Sequence, residues 1–149
     1  FYPVPMTMQT LVVLLLGITL GWKLGLATIA LYLFEGIMGL PVFSGLPEKG
    51  VGLIYFTGPT MGYLIGFLFT VYFAGKLQFE ENQFKNFLQL IFSTSFIYIF
   101  GILWLGVLIG WEKPLFQLGA QPFLFAEFFK ILIIFFSLPK LKKLNQYLR

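Results

Sequence analysis

Apolar residues run through this chain in long blocks, and polar residues appear mainly as punctuation between them. A membrane-spanning helix needs about 17 to 25 predominantly apolar residues. Three blocks meet that length: Thr60 to Gly75 with its flanks, Phe87 to Trp111, and Pro122 to Leu138. The block from Leu11 to Leu40 is too long for one span and is broken in the middle by Gly21-Trp22-Lys23-Leu24-Gly25. It reads as two short helices, Gln9 to Gly21 and Leu24 to Gly39, joined by a tight turn at Lys23. The expected architecture is an all-α polytopic membrane protein of about five transmembrane helices, one domain over residues 1–149.

Composition makes the solvent lipid. Apolar types supply 58% of the residues, aromatics 20% and charged types 11%; mean hydropathy is +0.88. Soluble domains carry roughly 25% charged residues, and a core of this size could not hide so much apolar surface from water. The chain has no cysteine and no histidine, which removes disulfides, thiolate metal sites, and the commonest metal ligand and catalytic base. No metal, cofactor or catalytic residue is expected. Nor is a nucleic-acid partner, because no basic face is visible. The chain opens on Phe1 without a signal-peptide pattern, and a truncation at its N-terminus is expected.

Five alternating spans sort the charges. Lys23, Lys76, Lys85, Lys140, Lys142, Lys143 and Arg149 fall on one side; Lys49 and Lys113 fall on the other, and Lys130 lies inside a span. By the positive-inside rule the first side is cytoplasmic. The opening segment and the loops 41–59 and 110–122 then face outward. A single long helix through Lys23 would bury that lysine and scramble the bias, which supports the hairpin.

The outward segments carry the candidate chemistry. Loop 41–59 is rich in glycine and proline yet apolar, and irregular backbone at membrane depth persists only where protein or a cavity satisfies it. It is read as a cover, or as a structural plug. Beneath it, the last span places Glu127 and Lys130 three residues apart on one helical face. Each would cost about 2.5–3.5 kcal/mol at the membrane centre, so both should face protein or a cavity. Glu127 sits about 7 to 8 Å along the helix from Pro122, in the outer half of the membrane. The pair is either a self-satisfied lock or the polar floor of a pocket. Glu35, near the outer end of the second helix, either snorkels or lines the same space.

At these residues a family likeness enters. "VPMTMQTL" (4–11), "GLPVFSG" (39–45), "GPTMGYLIGF" (58–67) and "PFLFAEFFK" (122–130) resemble, in order and spacing, the BioY family of biotin-binding S components of energy-coupling factor (ECF) transporters. The resemblance implies a six-helix S-component bundle of which this chain lacks the first helix, the helix whose small-residue face engages the transmembrane coupling subunit. It implies a multi-pass protein of a prokaryotic cytoplasmic membrane that captures biotin from outside. It implies as partners that coupling subunit and ATPase subunits, the S component tipping in the membrane to release the vitamin. No Gly-x-x-x-x-Gly-Lys motif occurs in the sequence. Carried over by position, Thr7 and Gln9 match the first loop; Ser44 and Gly45 the covering loop; and Gly58, Thr60 and Tyr63 the start of the next span. Glu127 and Lys130 fall where the family pattern has Asp and Lys, and Phe125-Ala126-Glu127 replaces its Pro-Gly-Asp. Glu127 is expected to accept ureido N–H bonds and Lys130 to donate to the ligand, with the end each contacts left open. Thr7, Gln9 and Ser44 would add neutral hydrogen bonds, and Tyr63 or Phe43 would cover the rings. Other readings stay open: an S component for another small vitamin, a membrane-embedded lipid-modifying enzyme built on Glu35, Glu127 and Lys130, and a purely structural membrane subunit.

Overall fold

The computed structural model describes residues 4–43 and 52–148. Ser44, Gly45, Lys49 and Arg149 lie outside the described residues. Five α-helices follow in order: α1 (Gln9–Ile37), α2 (Met61–Lys76), α3 (Gln83–Ile109), the short α4 (Leu115–Gly119) and α5 (Gln121–Leu148), with a 3-10 turn over Gly52–Thr57 before α2. Helices α1, α3 and α5 are long and apolar enough to cross a membrane, and α2 is a shorter apolar helix.

Helix α1 is not one rod. Gly21 sits at φ 77°, ψ 174°, and the chain folds back there. In a straight helix Gly17 and Gly25 would stand about 12 Å apart, yet a Cβ on Gly25 would lie 3.5 Å from the Gly17 Cα. Gln9 and Tyr32 likewise meet in a 2.6 Å hydrogen bond. The expected pair of short helices is therefore present, as two arms over 9–20 and 22–37. The reversal is at Gly21 instead of Lys23, because the break needs a positive φ that glycine reaches without steric cost. Lys23 belongs to the second arm. The first arm rises only about 18 Å, well short of the roughly 30 Å hydrocarbon core. Protein covers it instead: Thr10, Val13, Leu14, Gly17 and Ile18 are buried. The second arm is largely exposed, with Leu31 and Phe34 turned outward to lipid.

Small residues bring the rods together, as expected where packing and not hydrophobicity drives helix association. Gly17 rests on Ala74 and Val71 of α2; Gly62 and Gly66 rest on the backbone of α3 at Phe100 and Ile97. Across the α2–α3 seam Thr70 Oγ1 donates to the Ser93 carbonyl at 2.8 Å, so the buried hydroxyl is satisfied. Asn82 caps α3, its side chain accepting from the Phe84 and Lys85 amides.

Helix α5 extends ten residues beyond the expected Leu138, through Pro139 to Leu148. Leu141, Leu144 and Leu148 keep the apolar rhythm, and polar side chains tie this extension to the bundle. Lys142 Nζ donates to the Phe79 carbonyl at 3.1 Å. Asn145 Nδ2 donates to the Ile18 carbonyl, at the end of the first arm of α1. That carbonyl lies in the last turn before the break, where the helix ladder supplies no amide.

Gly75 presses on the hairpin tip: a Cβ there would stand 2.3 Å from the Trp22 amide nitrogen and 2.7 Å from the Gly21 carbonyl carbon. Backbone on both sides leaves little to give. Gly75→Ala is expected to destabilise the purified protein by about 1–3 kcal/mol, read as a lower unfolding temperature in detergent. An unchanged temperature would mean that the tip is not seated on α2.

Candidate functional site

The ends of four segments converge above the middle of the bundle. The entry strand before α1, the first turn of α1, the N-terminal half of α2 and the N-terminal half of α5 enclose a pocket, with α3 closing one side. Its volume is about 520 Å³ including the part open to the outside, within the size range of small-molecule sites.

The polar floor is built across the length of the chain. Glu127 and Lys130, each 5% exposed, form a salt bridge of 2.6 Å. Lys130 Nζ also donates to the Thr7 carbonyl at 2.6 Å and to Thr10 Oγ1 at 3.0 Å. An ammonium has three N–H donors, so all three are engaged by the protein. Thr10 Oγ1 in turn donates to Glu127 Oε1 at 2.7 Å. One carboxylate oxygen thus takes both bonds. The other, Oε2, is buried with no hydrogen-bond partner among the described residues. An orphaned buried acceptor costs free energy that a ligand donor would recover.

Around this floor the walls are aromatic and aliphatic: Tyr63, Leu64, Phe67, Ile97, Tyr98 and Phe123. Tyr63 is held by its hydroxyl, which donates to the Gly119 carbonyl at 2.7 Å. Tyr98 stands edge-on to Tyr63, with ring centroids 6.2 Å apart, and lies next to the Glu127 carboxylate. The roof is a second aromatic group. Phe43 stacks on Tyr55 at 4.7 Å and meets Tyr32 edge-on at 5.2 Å. The Phe43 ring lies directly on Gly36, where a Cβ would come within 2.0 Å of it. Gln9 Nε2 donates to the Tyr32 hydroxyl, which donates to the Val42 carbonyl at 3.4 Å, linking entry strand, second arm and roof.

The expected site residues are brought together with few exceptions. Thr7, Gln9, Phe43, Thr60, Tyr63, Glu127 and Lys130 all line the pocket. Gly58 does not; its carbonyl accepts from Trp104 Nε1 at 2.8 Å and steadies the entry to α2. Glu35 is half-buried at the outer end of α1 and is not in the lining. Thr10 and Tyr98 were not expected. Thr10 lies in the segment "VPMTMQTL", next to Gln9, and Tyr98 is a hydroxyl-bearing aromatic in the span that also holds Ser93, Thr94 and Ser95.

A family model described as "BioY family" matches residues 1–147. The chain is 35% identical over 128 residues to a "Probable biotin transporter BioY" of Pyrococcus horikoshii, covering 86% of this chain and 74% of that protein. It is 33% identical over 144 residues to the "Biotin transporter BioY" of Thermotoga maritima, covering 96% and 83%. Among solved structures, a crystal structure of the S-component for biotin from an ECF-type ABC transporter superposes with a TM-score of 0.75 at 25% identity, over 98% of this chain and 78% of that one.

Removing one member of a buried ion pair strands the other, at about 3–5 kcal/mol, whereas replacing both with apolar residues is often neutral. Lys130→Met should therefore lower the unfolding temperature of the ligand-free protein sharply, and the double variant E127L/K130M should recover most of the loss. Equal losses from both would show that the pair is not isolated from solvent.

Proposed function

The chain belongs to the BioY family, and we propose that its outer pocket binds biotin as the substrate-specific component of an ECF uptake system in the cytoplasmic membrane. The observation that carries this reading is Glu127 Oε2, a buried acceptor that takes neither the Lys130 nor the Thr10 bond and, among the described residues, has only the Tyr98 hydroxyl beside it, at the base of an aromatic chamber. Biotin presents what such a chamber lacks: two ureido N–H donors on a compact bicycle, with an aliphatic tail ending in a carboxylate. The bicycle fits between Tyr63, Tyr98 and Phe123 below and the Phe43–Tyr55 stack above. One ureido N–H would donate to Oε2 and satisfy it.

Lys130 has a different part. Its donors are committed to Thr7, Thr10 and Glu127, so it orients the carboxylate. It reaches a ligand oxygen only by releasing one of those acceptors. The tail points toward the mouth, where Gln9, Thr7 and Thr60 offer neutral polar groups. The relatives are transporters by name, and the reading is of binding and uptake without chemical change to the vitamin. Energy for uptake would come from ATPase subunits acting through a coupling subunit.

The test is direct. Protein purified in detergent should retain biotin, identified unaltered by mass spectrometry, and rebind it after removal. Glu127→Gln keeps the shape but trades the charged acceptor for a neutral one, a loss of about 1.5–3 kcal/mol or roughly tenfold to a hundredfold in affinity. A biotin methylated on its ureido nitrogen should lose a similar factor on the wild-type protein. Full affinity in Glu127→Gln would remove the carboxylate from the site, and a different co-purifying vitamin would reassign the ligand.

A further inference from the structure

At the end of the bundle away from the pocket, the charges are arranged in the opposite way. Lys23 and Lys76 both place their ammonium groups on the Trp22 indole, at 5.6 and 5.3 Å from its centroid. Lys76 is held further by Tyr72, lying 4.3 Å from that ring and donating to its hydroxyl. Among the described residues the ion pairs are Lys85 with Glu80 and Lys130 with Glu127, so neither ammonium on the indole has a carboxylate partner. Two cations sharing one ring raise the local potential, and nothing described neutralises it.

These two lysines form the rim of a cleft of about 1100 Å³, counting its open part, between the hairpin tip, the end of α2 and the end of α5. Leu20, Leu24, Leu77 and Leu148 give it apolar wall, with Gln78 as a further polar lining residue. A neighbouring cleft shares Gly75 and Leu77 and adds a third cation, Lys142. We infer that this end of the bundle holds an anionic phospholipid, its phosphodiester between Lys23 and Lys76 over Trp22 and its acyl chains along the leucine walls. The chemistry selects this occupant over a free anion. A soluble phosphate would use the ammonium groups and leave the leucines uncovered, whereas a lipid uses both. Tryptophan and tyrosine at the rim suit the headgroup level of a bilayer, and each juxtamembrane lysine favours an anionic lipid by about fivefold.

The site is separate from the vitamin pocket, so its test does not depend on biotin. The whole chain, delipidated in neutral detergent at low salt, is titrated with phosphatidylglycerol or with phosphatidylcholine of the same acyl chains, and bound lipid is counted by native mass spectrometry. Phosphatidylglycerol should be retained in preference, and K23Q/K76Q should weaken it by roughly twentyfold or more. K140Q/K143Q removes the same charge from α5, outside the residues that line the cleft, and should weaken retention by clearly less than K23Q/K76Q does. Circular dichroism checks that each variant is folded; if the double variant is not, the single variants Lys23→Gln and Lys76→Gln carry the test at about fivefold each. Equal retention of the two lipids overturns the inference, as do equal losses from the two double variants. Displacement of the lipid by millimolar inorganic phosphate would assign the cleft to a simple anion and overturn it as well.

Discussion

A carboxylate and an ammonium in the low-dielectric interior of a membrane protein must be paired and hydrogen-bonded, or they neutralise or leave. In this chain Glu127 and Lys130 cannot meet that demand alone. An i,i+3 pair supplies one salt bridge, which leaves two ammonium protons and three carboxylate lone-pair directions to be filled. The first turn of α1 and the segment just before it fill most of them, with Thr7 giving a carbonyl and Thr10 a hydroxyl that both accepts and donates. The pair therefore recruits a segment about 120 residues away in sequence. Once that segment is anchored on α5, the entry strand must cross the bundle mouth, and the pocket acquires its near wall.

The same demand explains why the first arm of α1 can be short. About 18 Å of helix cannot cross a bilayer by itself, and a lipid-exposed end at Gln9 would leave amides unsatisfied. Here the N-terminal end is tied to α5 through Thr10, and the C-terminal end through Asn145 to the Ile18 carbonyl. Glycines at Gly17 and Gly75 let α2 close over the remainder. The arm is thus a buried strut held at both ends by α5, and the second arm faces the lipid in its place.

Much of this was legible in the sequence. Apolar block lengths located α2, α3 and the core of α5, and the charge bias around Lys23 demanded a hairpin. The same-face spacing of Glu127 and Lys130 marked the floor, and the greasy loop marked the roof through Phe43. What escaped was anything set by tertiary closure. Thr10 looked like one polar residue among several, because only the docking of α1 against α5 makes it the bridge between acid and amine. Tyr98 was hidden among its neighbours, since the same block carries Ser93, Thr94 and Ser95 and nothing in the spacing singles out one hydroxyl. The turn went to Lys23 because charge suggested an exit from the membrane. Backbone geometry chose Gly21, two residues earlier, and left the lysine to reach over Trp22. The extension of α5 past Leu138 lay outside the apolar block because its lysines break the hydropathy, and side chains such as Lys142 and Asn145 bind the turns after Pro139 to the bundle.

The two ends of the molecule now differ in a way that net charge conceals. In the pocket, opposite charges are buried together and cancel, so the local field is that of a dipole with one oxygen left open. A neutral hydrogen-bond donor gains from such a floor, whereas a bare ion placed on it would disturb its balance. At the hairpin tip, like charges converge over one indole without a described counter-charge, so the field is that of a net cation, and an anion gains. Helix α5 runs between these environments, contributing the cancelled pair near its start and Lys142 near its end. A single rod thereby carries one site whose floor favours a neutral hydrogen-bond donor and contributes a cation to another that favours negative charge.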